Sequence, residues 1–157
     1  MFSQVDAQLA IDHFNHMASM IEIVTTPYYQ MKDAISFEHR DPIGIVGCIS
    51  PWNFPSALFC SKIAPALACG NCIIAKPSEI SPTSSYLICK IFDKVGLPPG
   101  VINVIHGYGP KAGEPIVKSE YIGAISFTGG TATGSRISSI AAPMLSGLVN
   151  LFLFLFH

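Results

Sequence analysis

Two stretches decide the fold: Ile43-Gly44-Ile45-Val46-Gly47-Cys48-Ile49-Ser50-Pro51-Trp52-Asn53-Phe54-Pro55 and Cys72-Ile73-Ile74-Ala75-Lys76-Pro77-Ser78-Glu79. Ile43 to Ile49 is a β-branched run of strand character, and its glycines 44 and 47 permit close backbone approach. Pro51 and Pro55 bracket a rigid turn after it. Cys72 to Ala75 is short and wholly apolar, as a strand covered on both faces must be. Between the two, Phe54 to Cys69 sets Leu58, Phe59, Ile63, Ala66 and Leu67 on one helical stripe, and Gly70-Asn71 supplies a left-handed stop. Strand, helix and strand at this spacing make a βαβ unit with parallel strands.

The alternation continues outward. Thr83 to Val95 predicts a helix closed by Gly96 and the Pro98-Pro99-Gly100 turn, and Val101 to Ile105 a buried strand. Lys111 to Lys118 predicts a helix, Ile122 to Phe127 a strand and Thr131 to Ala141 a helix. Upstream, Leu9, Phe14, Met17, Met20, Ile21 and Val24 recur at three- and four-residue steps, so an amphipathic helix is expected up to Pro27, with no obvious partner surface. Ser36 to Arg40 reads as a short strand. The fold class is therefore α/β, a partial Rossmann-like, doubly wound parallel sheet, with no internal repeat or low-complexity linker.

Met144 to Phe156 breaks the pattern. It carries no charge, and its alternating Leu and Phe leave neither face polar, so periodicity names neither helix nor strand. It is shorter than the ~20 residues that span a bilayer. It also lacks the Lys/Arg face of a membrane-surface segment. The expected division is a cofactor-type domain over 1–143 and an apolar tail over 144–157 that does not belong to it.

Composition narrows the partners. With 157 residues and 50% hydrophobic side chains there is enough to build a core. A net charge of −1 with only 12% charged residues offers no basic field for nucleic acid or anionic lipid. Asp6, Asp12 and Glu22 interrupt any secretory leader, no transmembrane segment is present, and the expected compartment is cytoplasmic. Five cysteines in apolar segments do not form a secreted disulfide framework. Cys69-Gly70-Asn71-Cys72 has redox or metal spacing without a second Cys/His pair, and His13, His16, His39 and His106 lack spaced partners, so no metal site is expected.

Three places can carry chemistry. Phe127-Thr128-Gly129-Gly130-Thr131-Ala132-Thr133-Gly134 lies where a strand meets a helix, and a glycine turn there lets phosphate approach the helix N-terminus. Such turns are also common without a ligand. Lys76 and Glu79, emerging from a buried strand, suit a ribose diol, which needs both a donor and an acceptor; a solvated loop pair is the competing reading. Asn53, fixed between two prolines, is a neutral amide donor able to stabilise developing negative charge, or simply a turn former.

Pro-Trp-Asn-Phe-Pro at 51–55, Ala-Lys-Pro-Ser-Glu at 75–79 and Phe-Thr-Gly-Gly-Thr-Ala-Thr-Gly at 127–134 together resemble the NAD(P)-dependent aldehyde dehydrogenase family, with Ile-Ser-Pro-Trp-Asn and Ile-Ala-Lys-Pro-Ser-Glu nearest its 2-aminomuconic semialdehyde dehydrogenase branch. The resemblance implies a cofactor site for NAD, or NADP, built from Ser50, Pro51, Trp52, Lys76, Ser78, Glu79, Gly109, Phe127, Thr128, Gly129 and Gly130. In it Lys76 donates to and Glu79 accepts from the adenosine ribose. His106 to Pro110, with Ala112 and Gly113, similarly resemble part of the adenine-side wall. Asn53 takes the family's oxyanion-donor role. Gly130 departs from the family, which often has Ser here, and so lacks a hydroxyl for phosphate. The strand near 36–40 resembles one that contributes to oligomer contacts.

Aldehyde oxidation in this family uses a cysteine thiolate to form a hemithioacetal, which expels hydride to the nicotinamide, and a glutamate that activates water against the thioester. The resemblance places both beyond about Pro143, and Met144 onward shows no Glu-Leu-Gly-Gly segment. The expectation is a truncated oxidoreductase, inactive alone. The alternative is a non-catalytic NAD-binding or subunit-interaction fragment that docks onto full-length aldehyde dehydrogenase subunits.

Overall fold

The computed structural model describes residues 2–144 and 151–156, the last segment by its backbone. The chain runs α1 (Phe2–Ile23), a two-stranded antiparallel hairpin of β1 (Tyr28–Gln30) and β2 (Ile35–Phe37), then β3 (Ile45–Ile49), α2 (Ala57–Ala68), β4 (Cys72–Lys76), α3 (Pro82–Lys94) and β5 (Ile102–Val104). A wide π-type turn over Gly109–Gly113 leads into the short α4 (Glu114–Val117), followed by β6 (Ile122–Gly130), α5 (Thr131–Ala141) and β7 (Leu151–Phe156). Strands β3 to β7 form one parallel sheet in the order β5-β4-β3-β6-β7.

That order contains a reversal. From β3 the chain steps outward to β4 and β5, then returns to lay β6 on the opposite side of β3. Helices on the two sides of such a reversal diverge, opening a crevice at the carboxyl ends of the adjacent strands. Registration fixes where that crevice lies. Ile49 pairs with Lys76 on one side and with Phe127 on the other, so the residues following all three emerge at one edge.

Period-2 alternation sorts each strand between two cores. Val46, Cys48, Ile73, Ala75 and Ala124 face α2, where they meet Phe59, Cys60, Ile63 and Ala66, with Phe14 of α1 and Phe92 of α3 packing edge-to-face beside them. Ile49, Ile125 and Phe127 face the other way, against Val117 of α4 and Ile137 and Ala141 of α5. Gly47 is required by this second layer: a Cβ there would come within 2.8 Å of Ile116.

Several details differ from expectation for identifiable reasons. The first helix ends at Ile23, short of Pro27, because the residue before a proline is pushed out of the helical region. The helix expected over 111–118 is split into a π-type turn and four α-residues, beginning at Gly109-Pro110. Part of the 144–157 segment, Leu151–Phe156, is a strand paired in parallel with β6, where the sequence pattern could not distinguish helix from strand; the rest, Met144 apart, lies outside the described residues. The first helix has a partner: α1 lies along α2, and the buried carboxylate of Asp6 accepts hydrogen bonds from the backbone N–H groups of Ser56 and Ala57. No helix among the described residues is long and apolar enough to cross a membrane.

Candidate functional site

A cleft of about 500 Å³ opens at the reversal between β3 and β6. Its floor is the aligned strand ends. Ser50, Pro51 and Trp52 enter it from β3, Lys76, Ser78 and Glu79 from β4, and Phe127, Thr128, Gly129 and Gly130 from β6, while Gly109 comes from the turn after β5. Stretches far apart in sequence converge because each follows a strand whose end is level with its neighbours. Asn53 is not part of this lining; it stands exposed in the turn, one residue beyond Trp52.

The residues expected as one adenine-side wall separate. Gly109, Pro110 and Gly113 line the cleft, whereas His106, Gly107, Tyr108 and Ala112 line another hollow of about 490 Å³ against Ile74 and Ile116. A helical turn rotates each successive residue by roughly 100°, so Ala112 and Gly113 address different sides.

Three features give the cleft its chemistry. First, α5 begins at Thr131 directly after the glycine pair, with no side chain capping its N-terminus, so its leading N–H groups and the positive end of its dipole face the cleft. Gly130 has open space around it, while a Cβ on Gly129 would lie 2.5 Å from the Phe127 ring. Second, Lys76 is buried, with its Nζ 3.1 Å from the Pro77 carbonyl oxygen and 3.5 Å from Glu79 Oε2. The cation is thus held in place, and the half-exposed Glu79 carboxylate keeps acceptor capacity toward the opening. Third, Ser50 is only 4% exposed and its hydroxyl finds no hydrogen-bond partner among the described residues. A buried hydroxyl without a partner is costly, and a hydroxyl-bearing ligand would relieve it. Bare helix N–H groups, a donor–acceptor pair and an orphaned hydroxyl fit a ligand that carries phosphate and ribose.

Sequence reasoning missed three contributors, Lys62, Glu114 and Arg136, and named Thr133 only as part of the glycine-turn motif. Lys62 of α2 is buried beneath the site, donating hydrogen bonds to Thr128 and, at 3.4 Å, to Ser126; burial pushes its amine down to about 8. Thr133 and Arg136 of α5 line the cleft, and Glu114 of α4 faces them. Lys118 lies 2.6 Å from one Glu114 carboxylate oxygen and Arg136 donates to the other at 2.7 Å, and these two contacts, Lys118 foremost, hold the Glu114 carboxyl below the usual range. The available signal was helical spacing: Thr133, Arg136, Ile137 and Ile140 share the face that starts at the glycine turn.

The cysteines stand apart. Cys48 and Cys60 are buried, which pushes both thiols up to about 12, and Cys89 is raised by the same cause. Cys69 and Cys72 are exposed; Cys72, although it opens a buried strand, is not itself covered. None of the five lines the cleft. No group of His, Cys, Asp or Glu among the described residues is arranged to hold a metal.

Residues 1–150 match the family described as "Aldehyde dehydrogenase family". The human 2-aminomuconic semialdehyde dehydrogenase is 42% identical over 141 residues, which is 88% of this chain and 29% of that protein. Among solved structures, the NAD+ complex of an aldehyde dehydrogenase from Bacillus cereus superposes with a TM-score of 0.88 at 35% identity, covering 94% of this chain and 30% of that one. A glyceraldehyde-3-phosphate dehydrogenase from Methanocaldococcus jannaschii complexed with NADP gives 0.87 at 35% identity, covering 96% of this chain and 33% of that one. The chain thus spans about a third or less of the length of these relatives.

Proposed function

This chain belongs to the aldehyde dehydrogenase family, and from that premise we propose that its cleft binds the nicotinamide dinucleotide of an aldehyde-oxidising reaction. The observation that carries the reading is the convergence, at the β3–β6 reversal, of the uncapped α5 N-terminus with the Lys76–Glu79 pair. In this reading the pyrophosphate lies against Gly129, Gly130 and the start of α5, and Lys76 and Glu79 hold the adenosine ribose. Ser50 offers its hydroxyl at the floor. The similarity to family structures holding NAD+ and NADP supports both forms of the cofactor.

Asn53 is the residue proposed to contact the reacting aldehyde oxygen, as a neutral donor beside the cleft. The nucleophile is not proposed from this chain's own thiols: two are held protonated by burial and none lies in the cleft. Aldehyde oxidation by this chain alone is therefore not expected. The test is calorimetric titration of NAD into the purified chain and a Lys76→Ala variant. Saturable binding, weakened about tenfold or more by loss of a charged hydrogen-bond donor, supports the reading. Absence of binding to the folded wild type removes it.

A second reading, docking onto full-length aldehyde dehydrogenase subunits, draws support from the β1–β2 hairpin, whose Tyr28, Tyr29, Ile35 and Phe37 are all exposed. Co-purification with a full-length relative, lost in a Tyr29→Glu, Phe37→Glu variant, is the expected result; unchanged co-purification by the variant, or none by the wild type, counts against it.

A further inference from the structure

From the way Arg136 is held across the outer wall of the cleft, we infer that it is a specificity-determining residue that stacks its guanidinium on the purine base of the bound cofactor, with Glu114 as the positioning residue that fixes its plane. The inference rests on the dinucleotide reading and extends it to residues outside the recognised motifs.

Arg136 lies about one and a half helical turns beyond the start of α5. A pyrophosphate at that start leaves the adenosine arm running outward along the same helix, between α5 and α4. The groove there is apolar at its base, where Val117 and Ile137 are buried and Ile140 is half-buried. It suits a flat, weakly polar ring better than a further charge. At its rim the only cation from α5 is Arg136, with a side chain 66% exposed but tied to Glu114 Oε2 at 2.7 Å. Lys118 holds the other oxygen of the same carboxylate, so Glu114 is braced from both sides. An ordinary surface arginine loses rotamer freedom when it stacks on a ligand. This one has part of that freedom already removed, and a delocalised guanidinium satisfied along its edge keeps its faces available for a π surface.

A phosphate contact is the competing role for a cation here. The two differ in what they demand: stacking needs the guanidinium plane, whereas phosphate attraction needs only charge. Calorimetric titration with AMP, inorganic pyrophosphate and NAD separates them, using wild type, Arg136→Ala, Arg136→Lys and Glu114→Gln. The expected result is an AMP affinity about fivefold to tenfold lower in Arg136→Ala, pyrophosphate affinity unchanged, no rescue by lysine, and a smaller AMP-selective loss in Glu114→Gln. Equal losses for AMP and pyrophosphate, rescue by lysine, or unchanged AMP binding in Arg136→Ala would each overturn the stacking role. Wild type that binds neither AMP nor NAD would instead sink the underlying cofactor reading. Unfolding midpoints of the variants verify that they are folded, and Glu114→Gln, a near-isosteric change that deletes no bulk, keeps the test decisive if Arg136→Ala is unstable.

Discussion

Asp6 caps a helix that begins 51 residues later: its two carboxylate oxygens each accept a 2.9 Å hydrogen bond, one from Ser56 N–H and one from Ala57 N–H. The α2 N-terminus has no capping contact from its own Ser56, so the cap is supplied across the α1–α2 interface. Replacing Asp6 with Ala leaves two inward N–H groups without acceptors and is expected to cost about 1–2 kcal/mol, with a smaller cost for Asn. Urea denaturation checks this. A midpoint unmoved by Asp6→Ala would mean water replaces the cap without loss.

Lys62 ties pH to stability. Burial lowers its amine from the ordinary 10.5 to about 8, so between those values the unfolded chain binds the proton more tightly and stability rises with pH. Below about pH 8 both states are protonated and this slope vanishes. Cys48 and Cys60 act oppositely: their thiols move from 9.0 to about 12, so stability falls as pH rises through that interval. Between about pH 8 and 9 the two effects overlap and oppose each other, because unfolded thiols already begin to ionise there. Between these two pH values the unfolding free energy of Lys62→Met should fall relative to that of wild type, because the thiols' loss is then no longer offset; equal slopes in both proteins would contradict the assignment.

The two glycines of the turn are expected to respond differently. Gly129→Ala places a Cβ 2.5 Å from the Phe127 ring, which is buried and cannot withdraw freely, so a destabilisation of about 1–3 kcal/mol is expected. A Cβ at Gly130 would meet nothing within 4 Å, and Gly130→Ser should fold normally while adding a hydroxyl for phosphate. Thermal unfolding reads the first effect. Titration with pyrophosphate reads the second, as tighter binding than wild type; weaker binding would place the phosphate elsewhere.

If the dinucleotide lies as proposed, Glu79 would set a preference between cofactors. Its carboxylate, near Lys76, can accept hydrogen bonds from a ribose diol but would repel a 2′-phosphate. Glu79→Gln is expected to shift the ratio of NADP to NAD affinity by about tenfold toward NADP. An unchanged ratio would show that the carboxylate does not face the 2′ position.

Much of this architecture is legible in the chain. The βα alternation from Ile43 to Ala141 is local, written in apolar runs and glycine or proline stops, and α5 begins and ends where its pattern does. The glycine turn and Lys76-Pro77-Ser78-Glu79 are legible because each is a contiguous segment following a strand. What could not be read are pairings made only by tertiary folding. Asp6 looks like any acidic residue on an amphipathic helix until α2 is laid beside it. Lys62 falls among the apolar residues of α2 and finds Thr128 and Ser126 only through the sheet. Glu114 and Arg136 sit on separate short elements, and neither spacing nor composition links them.

The β3–β6 pairing also has a kinetic meaning. The outward strands lie between Ile49 and Phe127 in the chain, so the β3–β6 partners are more widely separated in sequence than the β3–β4 partners. Such closures are entropically expensive and form slowly. The cleft does not exist before that closure, because one wall follows β3 and the other follows β6. A molecule that occupies it therefore recognises only chains that have finished folding, and at saturating concentration it would draw a partly assembled population toward the completed sheet by mass action.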